Sequence, residues 1–111
     1  MKRAYEVNLS GTIYRLRLTV GAQRRLIKQY GQQAVQVCMD AFGDLDKLCM
    51  VLNELLHWSG SGNPELSGED FCDLLVDEGY ALVSDIPELV LRAMAEQEGS
   101  GELTVKSRLP L

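Results

Sequence analysis

Tyr5-Glu6-Val7-Asn8-Leu9-Ser10-Gly11-Thr12-Ile13-Tyr14-Arg15-Leu16-Arg17-Leu18-Thr19-Val20-Gly21-Ala22 is the stretch on which the fold turns. Its first half alternates: Tyr5, Val7 and Leu9 against Glu6, Asn8 and Ser10, the period of two of a half-buried strand. Ser10-Gly11 is a turn signal. A second alternation follows, with Tyr14, Leu16 and Leu18 on one face and Ile13, Arg15 and Arg17 on the other. The two apolar rows make one face of a β-hairpin over residues 5–18. A lone hairpin is marginal in water, so other elements must cover that face. At Thr19 the period changes. The hydroxyl is placed to accept from a free backbone N–H of the next turn, which makes Thr19 an N-cap. Gly21 and Ala22 are small enough to let that first turn pack closely on the hairpin.

Outward from this junction the pattern is helical. One helix is expected over about 20–30, with Ala22, Leu26, Ile27 and Tyr30 on one face and Gly31 as its stop. A second is expected over 33–42, with Ala34, Val37, Cys38, Ala41 and Phe42 as its stripe. A third, capped by Asp44, is expected over 45–59, buried through Leu45, Leu48, Cys49, Leu52, Leu55 and Leu56. After the loop Gly60-Ser61-Gly62-Asn63-Pro64, Ser67-Gly68-Glu69-Asp70 resembles a capping box for a fourth helix over 68–78. A fifth, 85–97, has Pro87 in its first turn, where the missing N–H costs nothing. Its stripe is Ile86, Leu89, Val90, Ala93 and Met94. The expected class is α+β, mainly α: a hairpin and about five short helices in a compact bundle. The domain is 1–97, followed by a flexible tail over 98–111.

The chain has 111 residues, 46% of them hydrophobic, which suits a single soluble domain with its own core. No apolar run is long enough to span a membrane. Cys38, Cys49 and Cys72 form no C-x-x-C pair, and each reads as a buried reduced thiol in a cytosolic protein. The net charge of −5 argues against a nucleic-acid binder. It is unevenly spread: residues 1–30 carry +6, residues 31–100 carry −12 and the last eleven carry +1. Such a dipole favours an oppositely charged partner or a second copy. Its plain alternative is that the two ends neutralise each other inside the fold.

Residues that carry chemistry are sparse. The one histidine, His57, reads as a helix-end residue beside Trp58. Neither a phosphate-binding loop, a dinucleotide fingerprint, a zinc-protease helix nor a nucleophile elbow is present. No catalytic residue, cofactor or metal ligand is assigned. Glu69, Asp70, Asp73, Asp77 and Glu78 put like charges on the fourth helix. They form either a solvated face or a surface for a basic partner. Val35, Met39, Met50, Val51 and Leu91 fall beside the main stripes and are candidates for burial or for an interface.

The run Leu16-Arg17-Leu18-Thr19-Val20-Gly21-Ala22, the helix that closes at Tyr30-Gly31, and the order of elements over about 5–95 resemble the tail assembly chaperones of long-tailed bacteriophages, prophages and gene-transfer agents. Thr19, Gly21, Ala22, Tyr30 and Gly31 carry the motif. The resemblance implies a non-enzymatic protein that binds the tape measure protein, keeps it soluble, and helps recruit tail tube subunits. It would act in the host cytoplasm and be absent from the finished virion. Many such proteins also exist in a longer, frameshifted form, of which this would be the shorter.

On that reading, Val35, Met39, Met50 and Val51 cover apolar client surface. Arg15, Arg17, Arg24, Arg25 and Lys28 meet the acidic body of a neighbouring copy. Neither nucleic acid nor membrane is an expected partner. The alternatives are a small acidic regulator that binds a basic surface of a protein, and a structural head–tail component of a phage.

Overall fold

The computed structural model describes residues 4–97. Its elements are β1 (Tyr5–Leu9), β2 (Thr12–Leu16), α1 (Val20–Tyr30), α2 (Ala34–Asp40), α3 (Leu45–Leu56), α4 (Gly68–Asp77) and α5 (Asp85–Gln97). The expected hairpin and five helices are therefore present in the expected order. The expected tail over 98–111 lies outside the described residues.

β1 and β2 pair antiparallel, with Tyr5 opposite Leu16 and Leu9 opposite Thr12. Ser10 and Gly11 both take positive φ, 52° and 91°, so the connection twists in the same sense as the strands. Asn8 Oδ1 fastens this turn by accepting from the Gly11 N–H at 2.9 Å. Val7, Leu9, Tyr14 and Leu16 are buried, whereas Ile13 is exposed on the opposite face, as the alternation predicts. The buried row meets the helices directly. The Tyr14 ring lies 5.1 Å from that of Phe71 on α4, and the Arg17 N–H donates to the Leu55 carbonyl of α3 at 2.9 Å.

The Thr19 hydroxyl accepts from the Ala22 N–H at 3.0 Å and starts α1. Gly31, at φ 68°, stops it, its N–H donating to the Ile27 carbonyl. This left-handed cap is the conformation that glycine adopts without strain. Asp44 and Ser67 cap α3 and α4 in the same way as Thr19, through the N–H groups of Lys47 and Asp70.

α3 is the central helix. It packs against β2, α1, α2, α4 and α5. Leu48, Val51, Leu52, Leu55 and Leu56 are buried on it. This corrects the expected stripe on three points. Leu45 is 55% exposed, Cys49, expected to be a buried thiol, is half-buried, and Val51, expected beside the stripe, is fully buried. A helix enclosed on several sides buries more than one stripe, so spacing alone does not select its core face.

α3 also ends three residues earlier than expected. His57 leaves the helical region at φ −103°, ψ 87°. Asn63 explains the stop. Its side-chain amide donates to the Leu56 carbonyl at 2.8 Å and to the Arg15 carbonyl at 2.7 Å, and its Oδ1 accepts from the Arg15 N–H at 2.6 Å. The end of the helix is thus tied to β2 by a residue of the loop.

α2 is shorter than expected as well, and Phe42, placed in its stripe by spacing, lies past its end and is exposed. α5 follows its expected stripe, with Ile86, Leu89, Val90 and Ala93 buried and Met94 half-buried against the core.

Candidate functional site

The basic residues singled out from sequence do not form one free surface. Arg25 clamps Glu54 of α3 in a two-pronged ion pair: Nε lies 3.0 Å from Oε1 and 3.2 Å from Oε2, and Nη2 lies 2.8 Å from Oε1. Glu54 is only 12% exposed, so the pair sits at the α1–α3 seam. The hydrogen bonds that Arg25 donates to Glu54 hold its guanidinium charged to a higher pH than usual. Arg15 pairs with Glu6 across the hairpin at 3.2 Å. Arg17 lies over the Trp58 ring, 5.6 Å from its centre, and its buried Nε has no hydrogen-bond partner among the described residues. Arg15, Arg17 and Arg25 are therefore engaged within the fold. Arg24 and Lys28 remain exposed on the outer face of α1, where they flank a shallow concavity with Gly21, Arg25 and Ile27.

The apolar candidates divide in the same way. Val51 is core and is withdrawn as a contact residue. Leu91 and Met50 are half-buried and pack on the core, Met50 with one side open to solvent. Val35 and Met39 are 55% and 50% exposed, one turn apart on the outer face of α2. Phe42 and Leu45 continue the exposed apolar run into the α2–α3 corner.

That corner opens into a trough between α3 and α4. Leu45, Cys49, Cys72, Val76 and Leu82 line a cavity of about 310 Å³ together with Asp46, Glu69 and Asp73. A second depression shares Asp46, Cys49 and Glu69 with it and adds Met50, Asn53 and Tyr30. Both linings combine apolar residues with acids, and neither includes a lysine or arginine. None of Glu69, Asp70, Asp73 and Asp77 is in an ion pair among the described residues. Glu69 and Asp70 sit in the first turn of α4, where the free N–H groups of the helix favour negative charge.

Sequence spacing did not show what shapes the trough. A Cβ on Gly68 would meet the Cys49 carbonyl and come within 2.6 Å of the Asn53 nitrogen. Backbone therefore packs on backbone where α4 crosses α3, and the Gly68 N–H donates to the Asn53 side chain at 3.2 Å. At Gly21, expected to serve close packing, a Cβ would meet side chains and not backbone: the Arg25 guanidinium at 3.3 Å and the Thr19 hydroxyl at 3.8 Å. Ala22 is fully buried and does pack as expected.

Tyr30 is half-buried, with the Lys47 ammonium 5.4 Å from its ring centre. Lys47 also donates to Asp40 at 2.9 Å and to Gln32 at 2.9 Å. Those contacts, Lys47 first and then Gln36 and Gln32, hold the Asp40 carboxyl below the usual carboxylate range.

His57 caps the end of α3 and is exposed, the helix-end place expected for it. Cys38 is sealed in the core, and burial pushes its thiol up to about 12. The described residues contain no group of three or more His, Cys, Asp or Glu suited to a metal ion. No helix among them is long and apolar enough to cross a membrane. The chain matches no family model, no curated protein and no solved structure.

Proposed function

We propose that this chain is a non-enzymatic chaperone of phage tail assembly that binds a long helical client, the tape measure protein, and keeps it soluble until tail tube subunits join. One observation carries the reading: the exposed apolar run Val35, Met39, Phe42 and Leu45 leads into an acid-rimmed trough on α3 and α4. Apolar side chains of a client helix would fill the trough, and its Lys and Arg residues would meet Asp46, Glu69 and Asp73. The net charge of −5 would keep the complex dissolved. Arg24 and Lys28 of one copy would meet the acids of the next, which replaces the wider basic surface expected from sequence. On this reading the protein acts in the bacterial host cytoplasm and leaves before the virion is complete.

Co-expression with the long helical protein encoded beside it tests the proposal. The client is expected to be soluble only when this chain is present, and the Leu45→Asp/Val76→Asp variant is expected to lose that effect while remaining folded. A client equally soluble with and without the chain overturns the reading.

The unpaired acids of α4 also favour a second reading, a regulator that covers the basic surface of another protein. Its mark would be competition with nucleic acid for that partner, which a tail chaperone would not show.

A further inference from the structure

The trough also brings two cysteines together. Cys49 of α3 and Cys72 of α4 both line it, and each thiol is among the groups that act on the protonation of the other. Gly68 explains their closeness. It brings the first turn of α4 onto the Cys49 carbonyl, and Cys72 follows four residues later on the same face of α4. The two cysteines thus lie on neighbouring helices beside this close approach of α4 to α3. Cys49 is half-buried and Cys72 is buried, and both residues line the cavity. Cys38, fully buried on α2, is outside this arrangement.

We propose that Cys49 and Cys72 form an oxidisable dithiol, a modification site that a small disulfide converts to an α3–α4 cross-link. The more exposed Cys49 loses its proton, and its thiolate attacks one sulfur of the external disulfide. The external S–S bond breaks, and one thiol leaves, carrying the Cys49 proton. Cys72 then loses its proton and attacks the Cys49 sulfur. The mixed disulfide breaks, the Cys49–Cys72 bond forms, and the second external thiol leaves with the Cys72 proton. Two protein thiols are oxidised and one external disulfide is reduced to two thiols.

Asp46, Glu69 and Asp73 border the route to the sulfurs, so the oxidant is selected by charge. A cationic disulfide such as cystamine is favoured over an anionic one such as oxidised glutathione. Burial, with Glu69 next, holds the Cys49 thiol up, and burial holds Cys72 up to about 11. Thiols held protonated attack slowly, so the exchange is expected to be slow near neutral pH.

The site does not depend on the client proposal and is tested on the full chain alone. The chain is incubated with cystamine or with oxidised glutathione at equal concentration, then unfolded, alkylated and weighed. The expected product is lighter by two hydrogens before alkylation and takes one alkyl group, at Cys38. Peptide mapping should show Cys49 joined to Cys72, formed at least several-fold faster with cystamine. Cys72→Ser should stop at a stable mixed disulfide on Cys49, which identifies the attacking thiol without needing the cross-link. Three alkylated thiols after treatment, or a wild-type chain that keeps the cystamine adduct on Cys49, would overturn the proposal.

Discussion

α1 and α4 begin alike and end up in different roles. Each starts on a hydroxyl cap, Thr19 or Ser67, and each has a glycine in its first turn, Gly21 or Gly68. Both pack on α3. On α1 a Cβ at the glycine would meet only side-chain atoms, and the charge is partly consumed inside the fold, through Arg25 and Glu54. On α4 the glycine is pinned against backbone and the acids face water. A similar cap-and-glycine pattern thus marks a tolerant helix start in one place and a forced close approach in the other. The lesson is that a glycine is explained by what a Cβ would strike, not by the motif around it.

The comparison breaks most visibly at the two glycines. Gly68→Ala drives a methyl into the α3 backbone, which cannot rotate away. It is expected to cost about 1–3 kcal/mol or more, read as a lower urea midpoint. Gly21→Ala should instead change stability by less than about 1 kcal/mol, because the gain in helix propensity is offset where the Arg25 guanidinium, held by Glu54, must shift. Equal effects at the two positions would remove the distinction.

Next in size is the clamp. Arg25→Ala should cost about 0.5–1 kcal/mol, since Arg25 is more than half exposed and the pair is screened, although its two-pronged geometry is favourable. Glu54→Ala should cost a similar amount, and the double variant should cost less than the sum. Alanine at Arg24 should fall within about 0.5 kcal/mol of zero, as expected for an exposed side chain on the outer face.

Charge reversal at Arg24 and Lys28 sharpens the comparison without touching stability. If copies associate head to tail, the Arg24→Glu/Lys28→Glu variant should sediment as a smaller species at low salt. The difference should shrink near 1 M salt, where the screening length is about 3 Å. A variant of unchanged size would end the head-to-tail model.

The smallest expected effect is a change of slope. Asp40 titrates lower in the fold than in the unfolded chain, chiefly through its hydrogen bond from Lys47. Its contribution is complete above about pH 4 and is lost as pH falls through the lowered folded value. Asp40→Asn lacks that titration, so its stability should fall less steeply on the acid side, as thermal midpoints taken from pH 6 downward would show.

Much of the fold was legible because local rules carry it. The alternation of Tyr5 to Leu9 set a strand, Ser10-Gly11 set its turn, and Thr19, Asp44 and Ser67 marked three helix starts that their side chains do cap. Errors collected where several elements compete for one helix. Val51 was misplaced because α3 is covered on many sides, and Phe42 because α2 ended before it. The candidate site was less legible. Val35 and Met39 were found by their spacing, but Leu45 and Val76 belong to a trough that exists only once α4 is laid on α3. Asn63 gave no signal beyond a loop composition, since its three partners lie on β2 and at the end of α3.

By itself, the sequence determined the class, the order of elements, their caps and turns, and the uneven spread of charge. Those properties depend on residues within a few positions of one another, through backbone hydrogen bonds and the periods of strand and helix. Tertiary structure decided which charges are paired, which apolar residues stay in water, and which two thiols meet. Each of those depends on an approach between residues distant in the chain: Arg25 to Glu54, Gly68 to the Cys49 carbonyl, Cys49 to Cys72. Such approaches are fixed by packing the whole core, a sum over many contacts that no short stretch of sequence contains.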